Sequence, residues 1–387
     1  MSNEDYDANK LFEAGGILLF FDVPLNSEFG IDYNCWKTAE NFRGVKMIPP
    51  GVHFIYFSVA DKYGNIGIRN GFFHNFNLQQ IVAKKWNAQN ESIEDYILSE
   101  DQSKNFIERK REYDKFLGAY PYEEYKRWVS LTNFINKDLI DHLEPENKII
   151  TSGSSLIGKK FSITRKRGEI KQKEEIFKIP SDLKEAEKRL PEMEHEKFTN
   201  IRFTKIPEEI FQSGTNPLEI TAHFIDMSQK LELFLNSQNN ELKCSEPMNI
   251  LGELQFAFIC FLIGHVYDAL EQWKLLINLV CNSESFIRKY PNLFIQFIQV
   301  LYFQLKEMPE DFFTDIITSN NFLVVNLHNF FDNIKSVVDE SIDDANEDFL
   351  KLNEKCTKFK NYLQEKFDFD FEQEPDEYAP VVCEDVN

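Results

Sequence analysis

The sequence predicts an α+β protein: a β-rich N-terminal domain with packed helices, then an all-helical C-terminal domain and an extended acidic tail. Three observations predict it. The first hundred residues hold short apolar runs rich in β-branched and aromatic residues, bounded by Gly, Pro and Asn. Beyond about residue 200, apolar residues recur at helical spacing around one fully apolar block. After Lys366 no basic residue appears, while Asp and Glu recur to the end. With 387 residues and roughly 150 per domain as a prior, two domains are expected, each large enough for its own core. Their bounds are read as 1–145, a charged linker over 146–198, a helical domain over 199–367 and a tail over 368–387.

Ile17 to Val23 is a continuous apolar run flanked by Gly15, Gly16 and Pro24, the pattern of a buried strand. Pro49, Pro50 and Gly51 precede a second strand, Val52 to Ala60, and Lys62-Tyr63-Gly64-Asn65 turns it into a third, Ile66 to Asn77. Gln80 to Trp86 and Ser92 to Leu98 are further candidates. The pattern then changes. Asp101 and Ser103 are candidate N-caps for a helix through Phe106, Ile107, Lys110, Tyr113 and Leu117. Tyr120-Pro121-Tyr122 ends it and starts another through Trp128, Leu131, Ile135 and Leu139. These two helices are expected to cover one face of the sheet.

In the second half, Pro217 marks the first turn of a helix from about Asn216 to Leu235. Phe256 to Ile263 is apolar at every position, so the helix carrying it lies inside other helices. The run is too short to span a membrane, and Glu253, Gln255, His265 and Asp268 interrupt its ends. Tyr267 to Val280 is one-sided and reads as a helix lying over the buried one, with Gly264 at the break. Further helices are expected over Leu293 to Leu305, about Asp311 to Val338 and about Ala345 to Phe367.

Composition excludes several function classes. A net charge of −21 argues against nucleic-acid binding through the overall field. The six Cys form no CxxC pair, so neither a disulfide framework nor a zinc site is expected, and the compartment is a reducing one. The polar, acidic N-terminus does not read as a signal peptide. Gly153 to Lys160 almost spells a phosphate-binding loop, but Lys160 stands where Ser or Thr is needed to hold magnesium, and it reads as linker. The seven His form no short-spaced metal pair, and no Ser sits in a GxSxG setting. No enzyme activity and no cofactor are expected. The basic island from Lys159 to Lys173 reads as part of a solvated linker, with a nuclear import signal or a local RNA or acidic-partner contact as the functional alternatives. In the tail, Tyr378, Ala379, Pro380, Val381 and Val382, followed by Cys383, form a β-prone island among acidic residues. Such a segment suits strand addition to another sheet.

Four stretches then point to a family. Glu28 to Ser58, Tyr120 to Ile135, Leu251 to Cys281 and the ending from Phe367 to Val382, with EPDEYAPVV, closely resemble the A-one-cistron splicing factor family. That resemblance implies a non-enzymatic assembly chaperone of the U5 small nuclear ribonucleoprotein, cytoplasmic and nuclear, acting in pre-mRNA splicing. Its implied partner is the large spliceosomal scaffold protein of that particle, bound at the RNase-H-like and Jab/MPN domains so that helicase and RNA do not bind prematurely. It also implies that Tyr378 to Val382 is the tail strand that completes a partner sheet. No direct nucleic-acid contact, no membrane and a monomeric free state are expected. The alternative is a general helical protein–protein adaptor unrelated to splicing.

Overall fold

The computed structural model describes residues 8–61, 63–89, 92–153, 156–158, 193–195, 200–207, 225–242, 247–309, 322–340 and 347–367. In chain order the N-terminal part contains α1 (Ala8–Ala14), β1 (Gly16–Phe21), β2 (Glu28–Ile31), β3 (Asn34–Lys37), β4 (Gly44–Ile48), β5 (Gly51–Ala60), β6 (Ile66–Phe76), β7 (Ile81–Asn87) and β8 (Ser92–Asp95). It continues through α2 (Glu100–Glu108), α3 (Lys110–Tyr113), β9 (Leu117–Ala119), α4 (Tyr125–Thr132), α5 (Lys137–Leu143) and β10 (Ile150–Thr151). A short antiparallel pair, β11 (Leu156–Gly158) with β12 (Met193–His195), precedes the helical part. That part comprises α6 (Ser228–Leu242), α7 (Asn249–Leu262), α8 (Tyr267–Cys281), α9 (Glu284–Lys289), α10 (Pro291–Lys306), α11 (Phe322–Glu340) and α12 (Glu347–Phe367). The α+β class follows as the sequence reads.

The strands form two five-stranded sheets, ordered β8-β7-β1-β4-β9 and β10-β6-β5-β2-β3. Side-chain alternation assigns each face. Leu18 and Phe20 of β1 meet Phe29, Ile31, Ile55, Phe57 and Phe72 in the space between the sheets. Ile17 and Leu19 point the other way, against Phe106 of α2 and Leu117 of β9. A strand buried on both faces has to be apolar at every position, which is the run seen in the sequence. β5 divides similarly: Ile55 and Phe57 face the first sheet, while Phe54 and Tyr56 face the helical part. On that outer face Gly30 lies opposite Tyr56 in register, and any Cβ at residue 30 would overlap the Tyr56 ring.

The helical part packs directly on the second sheet. Phe73 of β6 stacks on Phe256 of α7 with ring centroids 4.6 Å apart. Trp128, Leu131, Leu139 and Leu143 of α4 and α5 belong to the same contiguous core as α7 and α8. These two helices therefore join the halves in one core instead of completing a separate N-terminal one.

α7 is buried at every residue from Asn249 to Cys260, as an all-round apolar helix requires. It stops in a Schellman motif: Val266 N–H donates to the Cys260 carbonyl at 3.0 Å and His265 N–H to the Phe261 carbonyl at 3.1 Å. The left-handed residue is His265 (φ 59), not Gly264. Gly252 allows the closest approach, since a Cβ there would lie 2.5 Å from the Phe134 carbonyl oxygen and 2.6 Å from Leu139.

Several sequence expectations are corrected. Ser99, not Asp101 or Ser103, caps α2, through a capping box with Gln102. The helical spacing from Phe106 to Leu117 breaks, because Leu117 pairs with Gly44 in a parallel ladder and sheet pairing overrides local periodicity. The helix expected from Trp128 to Leu139 is two helices, separated where Gln255 binds the intervening turn and Asn136 caps α5. α6 continues past Leu235 to Leu242, and the expected start at Asn216 lies outside the described residues. Inside the stretch read as linker, β10 pairs with Asn70 and Gly71 of β6. α1 and α9 were not expected.

At an open helical site, replacing Gly by Ala stabilises by about 1 kcal/mol. Gly252→Ala is expected to do the opposite, lowering unfolding free energy by about 1–3 kcal/mol in urea titration, because its methyl group meets backbone.

Candidate functional site

Among the described residues, three groups of polar side chains tie separate segments of the fold together. The first sits under the turn between β2 and β3. Asp32, held at φ 53, exchanges backbone contact with β5: its N–H donates to the Phe54 carbonyl at 2.8 Å, and its Oδ1 accepts the Phe54 N–H at 3.0 Å. Its Oδ2 faces His53 Nδ1 at 2.7 Å and accepts the Tyr120 hydroxyl at 2.6 Å. An Asp–His pair invites comparison with a catalytic dyad. Here His53 Nε2 faces the Pro49 carbonyl at 2.9 Å, and the ring is fully buried. The ring nitrogens lie at hydrogen-bond distance from the Asp32 carboxylate on one side and the Pro49 carbonyl on the other, so His53 sits where three segments meet. Burial and the neighbouring Asp32 push the Tyr120 hydroxyl well above its usual range.

The second group surrounds Glu253 of α7, which is wholly buried. Its Oε1 accepts from Thr204 N–H at 2.9 Å and from Gln272 Nε2 at 3.0 Å. Its Oε2 accepts from the Thr204 hydroxyl and from Gln238 Nε2, each at 2.7 Å. One carboxylate thus binds the 200–207 segment, α6 and α8 to α7. Burial pushes its pKa up to about 7, and the hydrogen bonds from Thr204, Gln238 and Gln272 oppose that shift.

The third group bridges the halves. Gln255 Oε1 accepts the Phe134 N–H and its Nε2 donates to Asn133, both at 2.8 Å. Arg69 of β6 donates to the Ile263 carbonyl at 2.8 Å, lies 3.1 Å from His265 Nε2 and 3.3 Å from Glu28, and covers the Tyr56 ring at 4.6 Å. Arg127 of α4 donates through Nε to both oxygens of Glu307, at 2.9 and 3.0 Å, and its guanidinium lies 4.0 Å from the Tyr33 ring centroid. Partial burial and the Arg69 charge lower the His265 pKa.

At the surface, among the described residues β3 is hydrogen-bonded to β2 alone, which leaves the outer edge of the sheet open along Cys35, Trp36 and Lys37, all exposed. A cleft of about 480 Å³ lies on the outer face of the first sheet, floored by Phe21, Tyr96, Phe106 and Tyr113. Among the described residues no group of three or more His, Cys, Asp or Glu could hold a metal ion, and no helix is long and apolar enough to cross a membrane. Tyr378 to Val382, the expected partner-binding residues, lie outside the described residues, as do the basic island and half of the Gly153 to Lys160 loop, whose residues 156–158 form β11. Arg69, Arg127 and Glu307 carry no sequence signal, because their partners lie far away in the chain. Glu253 and Gln255 did give one: polar residues beginning an otherwise apolar helix.

Fold and buried polar groups together define a two-part α+β protein in which a β-sandwich is clamped to a helical bundle. Glu28 and Tyr33, Arg127 and Trp128, and Gly252, Gln255 and Phe256 all converge on this clamp. The chain belongs to the AAR2 family. Residues 14–145 match the family's N-terminal domain and residues 203–372 its C-terminal repeat region. A human relative, "Protein AAR2 homolog", is 40% identical over 380 residues, covering 97% of this chain and 95% of the relative. A Caenorhabditis elegans relative of the same name is 36% identical, covering 93% and 96%. The Saccharomyces cerevisiae "A1 cistron-splicing factor AAR2" is 26% identical, covering 81% and 82%.

The raised carboxyl of Glu253 gives a signed pH dependence. The folded state holds the proton more tightly than the unfolded chain, so this group's contribution is most favourable below pH 4.5 and weakens as pH rises to about 7. The loss is on the order of 3 kcal/mol. Glu253→Gln, neutral throughout, is expected to show a smaller drop in unfolding free energy than the natural chain between pH 5 and 7.5 in matched urea titrations. Equal drops would count against the assignment.

Proposed function

We propose that this protein is a splicing factor that acts as a non-enzymatic assembly chaperone of the U5 small nuclear ribonucleoprotein, in cytoplasm and nucleus. It binds the RNase-H-like and Jab/MPN domains of the large spliceosomal scaffold protein and keeps helicase and RNA from binding prematurely. Membership of the AAR2 family across both halves is the observation that carries this reading. The geometry supports it in a second way. Gln255, Arg69 and Arg127 brace one half against the other, while the Asp32 and Glu253 groups each tie together segments within one half, which suits a rigid body that presents surfaces to partners.

The chaperoning step is physically a competition. A protein that occupies the scaffold's RNA- and helicase-contacting surfaces excludes those ligands until its own affinity falls. A net charge of −21 favours encounter with a basic, RNA-binding surface and repels RNA itself. The tail island at Tyr378 to Val382 supplies strand addition to the partner, its backbone groups giving affinity and alternate side chains register.

Size-exclusion chromatography with the two scaffold fragments is the test. The full chain is expected to elute with both fragments together, and a chain lacking residues 372–387 to lose the bridge between them. Failure of the full chain to bind either fragment would overturn the proposal in favour of a general adaptor. The electrostatic part has its own readout. Raising monovalent salt from 50 to 300 mM is expected to slow association by about tenfold in stopped flow, with little change in dissociation.

A further inference from the structure

We infer that the open edge of β3 is a docking site for this chain's own tail, residues 378–383, which pair with it in the free protein and are thereby withheld from partners. The inference rests on the reading of those residues as a strand-adding segment given under Proposed function. What it adds comes from where the folded chain ends.

α12 finishes at Phe367, itself buried. The preceding Lys366 fixes this end, its Nζ donating to the carbonyls of Leu305, Lys306 and Met308 at 2.8–2.9 Å. Glu307, in the same turn, accepts from Arg127, and Arg127 covers Tyr33. Tyr33 is the turn residue immediately before β3. A relay of contacts through Lys366, Glu307, Arg127 and Tyr33 thus links the end of α12 to the strand with the open edge. Ten residues, 368 to 377, lie between that end and Tyr378, and extended chain spans about 33 Å over ten residues. The segment can reach the edge without disturbing the folded body.

The pairing chemistry agrees on both sides. Thr38 exchanges backbone hydrogen bonds inward, donating to the Ser27 carbonyl and accepting from Asn26 N–H. Alternation then turns the backbone groups of Lys37 and Cys35 outward, unpaired by β2. In the tail, Pro380 lacks an N–H and is tolerated only where that position faces away from the ladder. With Pro380 outward, the backbone groups of Ala379, Val381 and Cys383 face β3. The sequence therefore suits one-sided addition at an edge. Lys37 on the edge also complements Asp376, Glu377, Glu384 and Asp385, which flank the segment.

Hydrogen exchange read per residue by NMR tests this on the free chain, with no partner present. The Cys35 and Lys37 amides are expected to exchange at least tenfold faster in a chain ending at residue 367, and also in the full-length Val381→Pro variant, than in the natural chain. Both changes lie C-terminal to α12 and leave every core residue named above unchanged, so the natural chain serves as the control. Equal rates in all three chains would overturn the inference. Protection that disappears on dilution, together with a dimeric mass in light scattering, would also overturn it by assigning the strand to a second copy. The two readings fail separately. Edge protection without binding of scaffold fragments leaves the docking intact and removes the proposed function, whereas fragment binding without edge protection does the reverse.

Discussion

A helix with no face to water must satisfy every polar side chain from inside, and α7 is such a helix. Glu253, Gln255 and the glycine at 252 lie within one turn of one another and face two different parts of the protein. Glu253 gathers Thr204, Gln238 and Gln272. Gln255 holds the turn between α4 and α5. Gly252 lets that turn come into contact. A buried carboxylate is costly to desolvate, and it persists because its donors are supplied by separate elements. The arrangement of the helical part around α7 is thus coupled to the attachment of the sandwich.

The sandwich is constrained from the same side. β5 and β6 carry Phe54, Tyr56 and Phe73 on the face that meets α7, while their alternate residues fill the space between the sheets. One ladder therefore serves two cores. Arg69 and Arg127 close the junction at its margins, each pairing with a carboxylate and lying over a tyrosine ring. Partly exposed pairs of this kind contribute little individually, about 0–1 kcal/mol, so they fix orientation more than they stabilise. The apolar contact of Phe73 with Phe256 contributes the larger share.

A body braced in this way leaves its variable chemistry at the surface, at the open edge of β3 and in the acidic segment that follows α12. Both are features of strand pairing. An edge strand is a template for any extended segment with free donors and acceptors, and folded proteins usually cover such an edge or charge it. Lys37 charges this one, and the proposed docking of the tail would cover it. Competition between a segment's own edge and a partner's sheet sets how much of the segment is available, which lowers apparent affinity by the fraction withheld.

Local pattern was enough to read the buried strand at β1, the hairpin of β5 and β6, the wholly buried helix at α7 and its one-sided neighbour α8. In each, burial geometry imprints a period or a continuous run on the chain itself. The same logic made Glu253 and Gln255 visible as exceptions. Where the periods misled, a long-range contact had prevailed: Leu117 sits at helical spacing yet pairs with Gly44, and Trp128 and Leu139 share a period across a turn that Gln255 breaks. The tail island was legible in composition. The β3 edge was not, because an edge is defined by the absence of a neighbour in space. By itself the sequence determined the class of fold, the burial of α7 and the family. Only the tertiary structure decided that the two halves share a core, that Arg69 and Arg127 bridge them, and that the end of α12 is linked to the turn before β3 through Glu307, Arg127 and Tyr33. Those facts join residues up to hundreds of positions apart, and no local period records such distances.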